Sequence, residues 1–125
     1  MASNVSFRSL MRRLLSVSSA AADVGEFEVA YHALMAALHA AERVGKDAGD
    51  PSPLAEIERM AKAQSEKVEK ILPAHQLSKA AAKNRGHVSV YETLLLHAKS
   101  ARMRIEADTR RETSPFRWPN LTAVK

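Results

Sequence analysis

The sequence contains no cysteine, which excludes disulfide bonds, a thiolate nucleophile and a cysteine-ligated zinc site. Glycine and proline are scarce, with four and five residues, and aromatic residues make up only 5% of the chain. No apolar run approaches the length of a membrane span. Glycine-rich phosphate loops, HExxH sequences and nucleophile elbows are also missing. The sequence therefore gives little support for an enzyme, and we expect no cofactor.

Alanine and leucine dominate the composition, as is typical of helices, and no β-type alternation of apolar and polar residues persists. The chain has 125 residues, of which 46% are apolar and 26% charged, and this suits one globular domain with a modest core. The net charge of +5 is unevenly distributed. Residues 23–50 carry an excess of acids, whereas residues 1–22 and 75–125 are basic. Such an uneven distribution of charge suits packing against a second copy or an acidic partner.

The N-terminal segment, residues 1–22, is rich in arginine and serine and free of acids. A mitochondrial or plastid transit peptide has this composition. The segment also has the pattern of an ordinary amphipathic helix, with apolar positions that include Leu10, Leu14 and Val17. We favour the structural interpretation and a cytoplasmic location, with an organellar location as the alternative.

Apolar residues recur at helical spacing in three further regions, which predict helices near residues 24–44, 53–72 and 90–108. The predicted fold is all-α. It is a small antiparallel bundle of three long helices, with an N-terminal amphipathic helix and an extended C-terminal tail. The predicted organisation is a basic segment, a bundle domain and a tail containing proline and aromatic residues, at 1–22, 23–108 and 109–125.

Helix boundaries are predicted from capping chemistry. Asp23 and Glu26 have the capping-box spacing for the first long helix, and Gly45 is predicted to end it. Ser52 is predicted to cap the second helix, and Pro53 fits its first turn.

The third long helix has the clearest start signal, because Ser89 and Glu92 can cap each other's backbone N–H groups. A short helix is predicted around residues 77–83 in the preceding connection, closed by Gly86.

The apolar stripe of the second helix is thin in its middle, where Gln64 and Ser65 occupy the expected core turn. The first long helix, predicted near residues 24–44, carries alanines on nearly every side, and small residues allow two helices to approach closely. We therefore predict a symmetric dimer that buries a face of the first helix.

Histidines and glutamates share one flank of the first helix, in the sequence "YHALMAALHAAE" and just before it. Glu28, His32, His39 and Glu42 fall within one strip, beside the apolar stripe rather than on it. His32 and His39 are two turns apart, about 10 Å, so they cannot share an ion by themselves. We favour a surface or interface flank, with a metal or small-ligand site completed by another element as the alternative.

The basic C-terminal half is a candidate for polyanion binding, including nucleic acid. Phosphate binding needs cations clustered on one face, and Phe116 and Trp118 flank Arg117 in a way that suits single strands. The candidate residues are Lys79, Lys83, Arg85, Arg110, Arg111 and Arg117. The plain alternative is that these charges favour helix C-termini and keep a small domain soluble.

The tail sequence "SPFRWPNL" gathers bulky apolar side chains between two prolines. Because disordered tails seldom carry such bulk, we predict that Phe116, Trp118 and Leu121 form a docking segment for an apolar groove. The groove would lie on the same chain or on a second subunit. The alternative is a mobile terminus with incidental aromatic residues.

These patterns favour a small non-catalytic helical module that mediates interaction or oligomer formation, as a homodimer or with a protein partner. Polyanion binding through the basic half is the second hypothesis. A metal or small-ligand site on the histidine and glutamate strip is the third.

Overall fold

The computed structural model describes residues 6–113, and all the secondary structure within that range is helical. The all-α prediction is confirmed. Residues 6–113 contain five helices: α1 Phe7–Asp23, α2 Phe27–Ala48, α3 Ser52–Ile71, α4 Lys79–Asn84 and α5 Val90–Thr113. Within this range, no helix combines the length and apolarity needed to cross a membrane.

The turn between α1 and α2 corrects the predicted capping box. Asp23 is the last residue of α1, and α2 begins after Glu26, whose side chain makes no capping hydrogen bond. The reason is Gly25, whose φ of +82° reverses the chain tightly. The N–H of Glu26 then donates to the Ala21 carbonyl at 2.9 Å and closes the end of α1.

The predicted end of α2 at Gly45 is also wrong. Gly45 is buried inside the helix, which continues to Ala48 and ends at Gly49, where φ is +63°. A Cβ atom at Gly45 would lie 2.8 Å from the Asp50 carbonyl oxygen and 2.8 Å from Ile105 Cδ1. Glycine is therefore placed here by close packing rather than by a helix end.

The start of α3 uses a different acceptor from the one predicted. The Asp50 carboxylate accepts from the Ser52 N–H and from the Ser52 hydroxyl, both at 3.0 Å, so Ser52 is a donor rather than the cap. Pro53 lies in the first turn of α3, as predicted.

The short helix and the start of α5 follow the prediction, whereas the end of α5 does not. Gly86, with a φ of +73°, follows α4, and Ser89 Oγ accepts from the Glu92 N–H at 3.2 Å, which is one of the two hydrogen bonds of the predicted reciprocal cap. However, α5 continues to Thr113, so residues 109–113 are helical and do not belong to an extended tail. Thr109 Oγ1 donates to the Gly49 carbonyl at 3.2 Å and ties this part of α5 to the end of α2.

The four long helices pack side by side around one apolar core. α1 packs along α2, α2 packs against α3 and α5, and α3 packs against α5. An open cleft lies between α1 and α3, and side chains of the two helices contact each other across it. The largest buried apolar side chains are those of Phe27, Leu34, Leu38, Leu54, Ile57, Val68, Tyr91 and Leu94.

Candidate functional site

The structure does not bring the predicted histidine and glutamate strip into one site. Glu28 accepts a hydrogen bond from the Gln76 amide, and the exposed His32 ring packs edge-on against Tyr31. His39 and Glu42 lie further along α2 and contact each other, with Nδ1 and Oε1 3.8 Å apart. Of the four residues, His39 and Glu42 contact each other, whereas Glu28 and His32 each contact a residue outside the strip.

Glu42 is the centre of a small charged cluster between α2 and α5. Its Oε2 lies 3.5 Å from His97 Nε2 and 3.9 Å from an Arg104 guanidinium nitrogen. A metal ion would have to share this carboxylate with the arginine cation that already faces it. Across residues 6–113, no three histidine or acidic side chains converge in a way that would hold a metal ion.

The basic residues predicted to bind polyanions lie at two ends of the molecule. Lys79 and Lys83 are exposed on α4, and Arg85 donates to the Gln76 carbonyl at 3.0 Å just after it. Arg110 and Arg111 are in the last turns of α5, about 30 Å along that helix from its start. The described cations therefore do not form the single face that a nucleic acid needs.

Four of the predicted site residues, Phe116, Arg117, Trp118 and Leu121, lie outside the described residues. Their prediction as a docking segment, and that of Arg117 as a phosphate contact, stays a prediction.

An apolar surface runs along the hairpin of α1 and α2, and we call it the hairpin face. Its residues are Phe7, Leu10, Leu14 and Val17 on α1, with Val29 and Ala36 on α2. The α1 residues alternate in steps of three and four, the spacing of a coiled-coil seam. Phe7 is 45% exposed and Val17 is 51% exposed. Leu14 is half-buried against the core, so the seam lies at the edge of the core with Phe7, Leu10 and Val17 open to solvent.

The hairpin face contains a concavity of about 640 Å³ between the two helices. Phe7, Leu10 and Leu14 line it from α1. Arg43 and Lys46 line it from α2, and the Arg43 guanidinium lies 4.8 Å from the Phe7 ring centroid. At this end of the hairpin, the rim therefore carries two cations and one acid, Glu42.

A chain of buried polar groups crosses the core and links all four long helices. Ser18 Oγ donates to the Ala30 carbonyl at 2.7 Å and accepts from Gln64 Nε2 at 2.7 Å. Gln64 Oε1 in turn accepts from the Tyr91 hydroxyl at 2.9 Å. Every buried side-chain polar atom among the described residues has a hydrogen-bond partner. The polar turn of α3 therefore lies inside a satisfied network.

Burial also changes the acidity of the tyrosine in this network. Removal from water raises the pKa of Tyr91 well above its usual range, and the neighbouring Tyr31 contributes to the same direction. The two rings meet edge to face with centroids 5.7 Å apart. The raised pKa favours the neutral hydroxyl, which donates to Gln64 in the network.

The α1–α3 cleft lies on the other side of α1 from the hairpin face and has a volume of about 520 Å³. Ligand pockets commonly have volumes of this order. Its lining combines apolar, small polar and charged side chains, namely Arg12, Leu15, Ser16, Ser19, Ala22, Asp23, Met60, Ala63, Gln64 and Lys67. Lys67 Nζ lies 3.1 Å from Asp23 Oδ1, which joins the two walls at one end.

Comparison with models of protein families, with curated proteins and with solved structures finds no match for this chain.

Sequence reasoning missed both surfaces. The amphipathic pattern of α1 was visible, but a helical stripe has the same spacing whether it faces the core or solvent. The signal for the cleft was weaker still. It consists of the serines of α1 and the polar turn of α3, which cannot be paired without knowing the fold.

Proposed function

We propose that the protein is a non-catalytic interaction module that forms a homodimer through the hairpin face. The observation that carries the proposal is the seam of α1, in which the exposed Phe7, Leu10 and Val17 and the half-buried Leu14 repeat at coiled-coil spacing. Contiguous exposed apolar surface of this kind marks sites of protein association. In this proposal, α2, α3 and α5 form an antiparallel three-helix bundle, and α1 adds the surface that the partner covers.

Charge complementarity favours a second copy as the occupant. The turn end of the hairpin, residues 23–28, carries three acids and no base. The opposite end carries Arg13 on α1, and Arg43 and Lys46 on α2, against the two acids Glu42 and Asp47, so it keeps an excess of positive charge. Arg8 and Arg12 lie on the α3 side of α1 and do not contribute. A two-fold axis that sets two hairpins antiparallel places the basic end of one over the acidic end of the other.

The size of the surface indicates a dimer of moderate strength. α1 has 17 residues and is about 25 Å long, and a pair of helices is about 20 Å wide. The footprint is then about 500 Å² on each copy, which is at the low end for specific complexes. We therefore expect association in the micromolar range.

Sedimentation velocity at about 50 µM protein and physiological salt tests the proposal. The dimer is expected to dissociate in Leu10→Glu and Val17→Glu variants, because each places a charge in the apolar seam. Val88→Glu and Met103→Glu are matched controls, since both residues are more than half exposed and lie outside the hairpin face. High salt should weaken the dimer, because the paired ends are exposed charges.

A monomeric wild-type protein under these conditions would contradict the proposal. Equal dissociation by the seam variants and the controls would also contradict it, because the association would then not depend on the hairpin face.

The alternative functions stay predictions. Polyanion binding would appear as salt-dependent binding of DNA or RNA that is lost when Arg110, Arg111 and Arg117 are replaced. A metal site would appear as bound metal that is lost in a His32→Ala variant. Among the described residues, neither alternative is supported by side chains that converge on one site.

A further inference from the structure

The α1–α3 cleft is held open by its own structure. At the floor, the Ser18–Gln64 hydrogen bond of 2.7 Å fixes the distance between the two helices. At one end, the Asp23–Lys67 ion pair of 3.1 Å joins the rims. Such preformed concavities are typical of small-molecule sites, because little has to be ordered on binding.

The small side chains that line the cleft are too short to fill the space. Ser16 and Ser19 face the cleft from α1, and Ala63 faces it from α3. Leu15 and Met60 supply a partly buried apolar base. Larger residues at the three small positions would close the cleft. Its volume of about 520 Å³ therefore depends on their small size.

The charges at the cleft favour an anion at the end away from Asp23. Among the described residues that line the cleft, Asp23 is the only acid, and Lys67 already pairs with it. Arg12 lies about 16 Å away along α1, and in the described part of the chain it has no carboxylate partner within 4.0 Å. An elongated ligand with an apolar body and an anionic head would match both the apolar base of the cleft and the Arg12 guanidinium.

We propose that the α1–α3 cleft binds a single-chain amphiphile with a carboxylate head. The apolar chain lies over Leu15 and Met60, and the head pairs with Arg12. The amide of Gln64 lines the cleft and has a second N–H beyond the one it gives to Ser18. This site is separate from the hairpin face, so it does not depend on whether the protein dimerises.

The test uses the full chain and decanoate as the probe, below its micelle concentration, with binding measured by isothermal titration calorimetry. Decanol and decylamine have the same chain with a neutral and a cationic head. We expect decanoate to bind more tightly than either. Arg12→Gln should weaken decanoate binding about tenfold and remove the preference for the anionic head.

Two matched pairs of variants locate the site. Ala63→Phe fills the cleft and should abolish binding, whereas Ala55→Phe adds the same side chain to another exposed alanine of α3 and should leave binding unchanged. Arg13→Gln is the control for Arg12→Gln, because Arg13 is exposed but does not line the cleft. Circular dichroism verifies that each variant is folded.

The proposal is overturned if decanoate does not bind, or if it binds equally to the Ala63→Phe and Ala55→Phe variants. Equal binding of decanol and decanoate would overturn the assignment of an anionic ligand. Loss of dimer in Ala63→Phe, with no decanoate binding to the wild type, would identify a second copy as the occupant and reject the amphiphile. Failure of the hairpin-face variants to change the oligomeric state leaves these results unaffected.

Discussion

Replacing Gln64 with leucine tests whether the polar chain in the core stabilises the fold. Gln64 is 4% exposed, and it links Ser18 on α1 to Tyr91 on α5. Leucine has a similar volume and cannot make either hydrogen bond. The substitution therefore removes the centre of the chain and leaves its two ends in place.

The expected cost follows from what each end has left. The Tyr91 hydroxyl keeps only a long contact of 3.4 Å to the Phe27 carbonyl, whereas Ser18 still donates to the Ala30 carbonyl at 2.7 Å. The buried Tyr91 hydroxyl is thus left without a good acceptor, which costs about 1–3 kcal/mol. The extra apolar burial of leucine returns about 1 kcal/mol. We expect a net loss of about 1–2 kcal/mol in the free energy of unfolding.

Urea denaturation followed by circular dichroism measures this loss, and a double-mutant cycle with Tyr91→Phe isolates the hydrogen bond. The double variant should be more stable than the sum of the single losses predicts, by about 1 kcal/mol, because it removes both partners. Gln76→Leu is the matched control. Gln76 is exposed, so its replacement should change stability by less than about 0.5 kcal/mol. Additivity within about 0.3 kcal/mol in the cycle would refute the energetic role of the bond.

Three further predictions concern backbone packing and ionisation. Gly45→Ala should destabilise the protein by about 1–3 kcal/mol, because its Cβ would meet the Asp50 carbonyl oxygen at 2.8 Å, and unchanged urea denaturation would contradict this. Asp50→Ala should cost about 1 kcal/mol at pH 7 by removing the acceptor for the Ser52 N–H. The hydrogen bonds from Ser52 lower the pKa of Asp50, so this contribution should be present above the pKa of the unfolded chain and lost as the pH falls through the lower folded value. Burial raises the pKa of Tyr91, so stability should fall as the pH rises above about 10, and Tyr91→Phe should remove part of that fall. An identical alkaline profile in the variant would show that Tyr91 is not its source.

Much of the helical structure could be predicted from the sequence, because apolar residues at helical spacing form one continuous face only when the segment is a helix. The start of α5 at Ser89 and the short α4 closed by Gly86 depend only on neighbouring residues, and both predictions are confirmed. The errors at Asp23 and Gly45 have tertiary or turn-specific causes. The tight turn at Gly25 separates Asp23 from the start of α2, so the predicted capping box does not form. At position 45, the close approach of the Ile105 side chain to α2 requires glycine within the helix.

The polar turn at Gln64 shows where sequence reasoning reaches its limit. The gap in the apolar stripe was visible, but its partners, Ser18 and Tyr91, are 46 and 27 residues away. A hydrogen bond between side chains so distant in sequence leaves no periodic signal. The same applies to Glu42. Its contact with His39 follows from helical spacing, whereas those with His97 and Arg104 come from another helix.

The two proposed surfaces share one helix, and that arrangement makes them separable. At about 100° per residue, the seam residues Leu10 and Val17 point to one side of α1, and the cleft residues Arg12 and Ser19 point to the opposite side. α2 supplies the main packing surface of α1 between them. A single side-chain change on α1 therefore alters one surface and leaves the other intact, so loss of both functions from one substitution would indicate unfolding or displacement of α1 rather than loss of a contact.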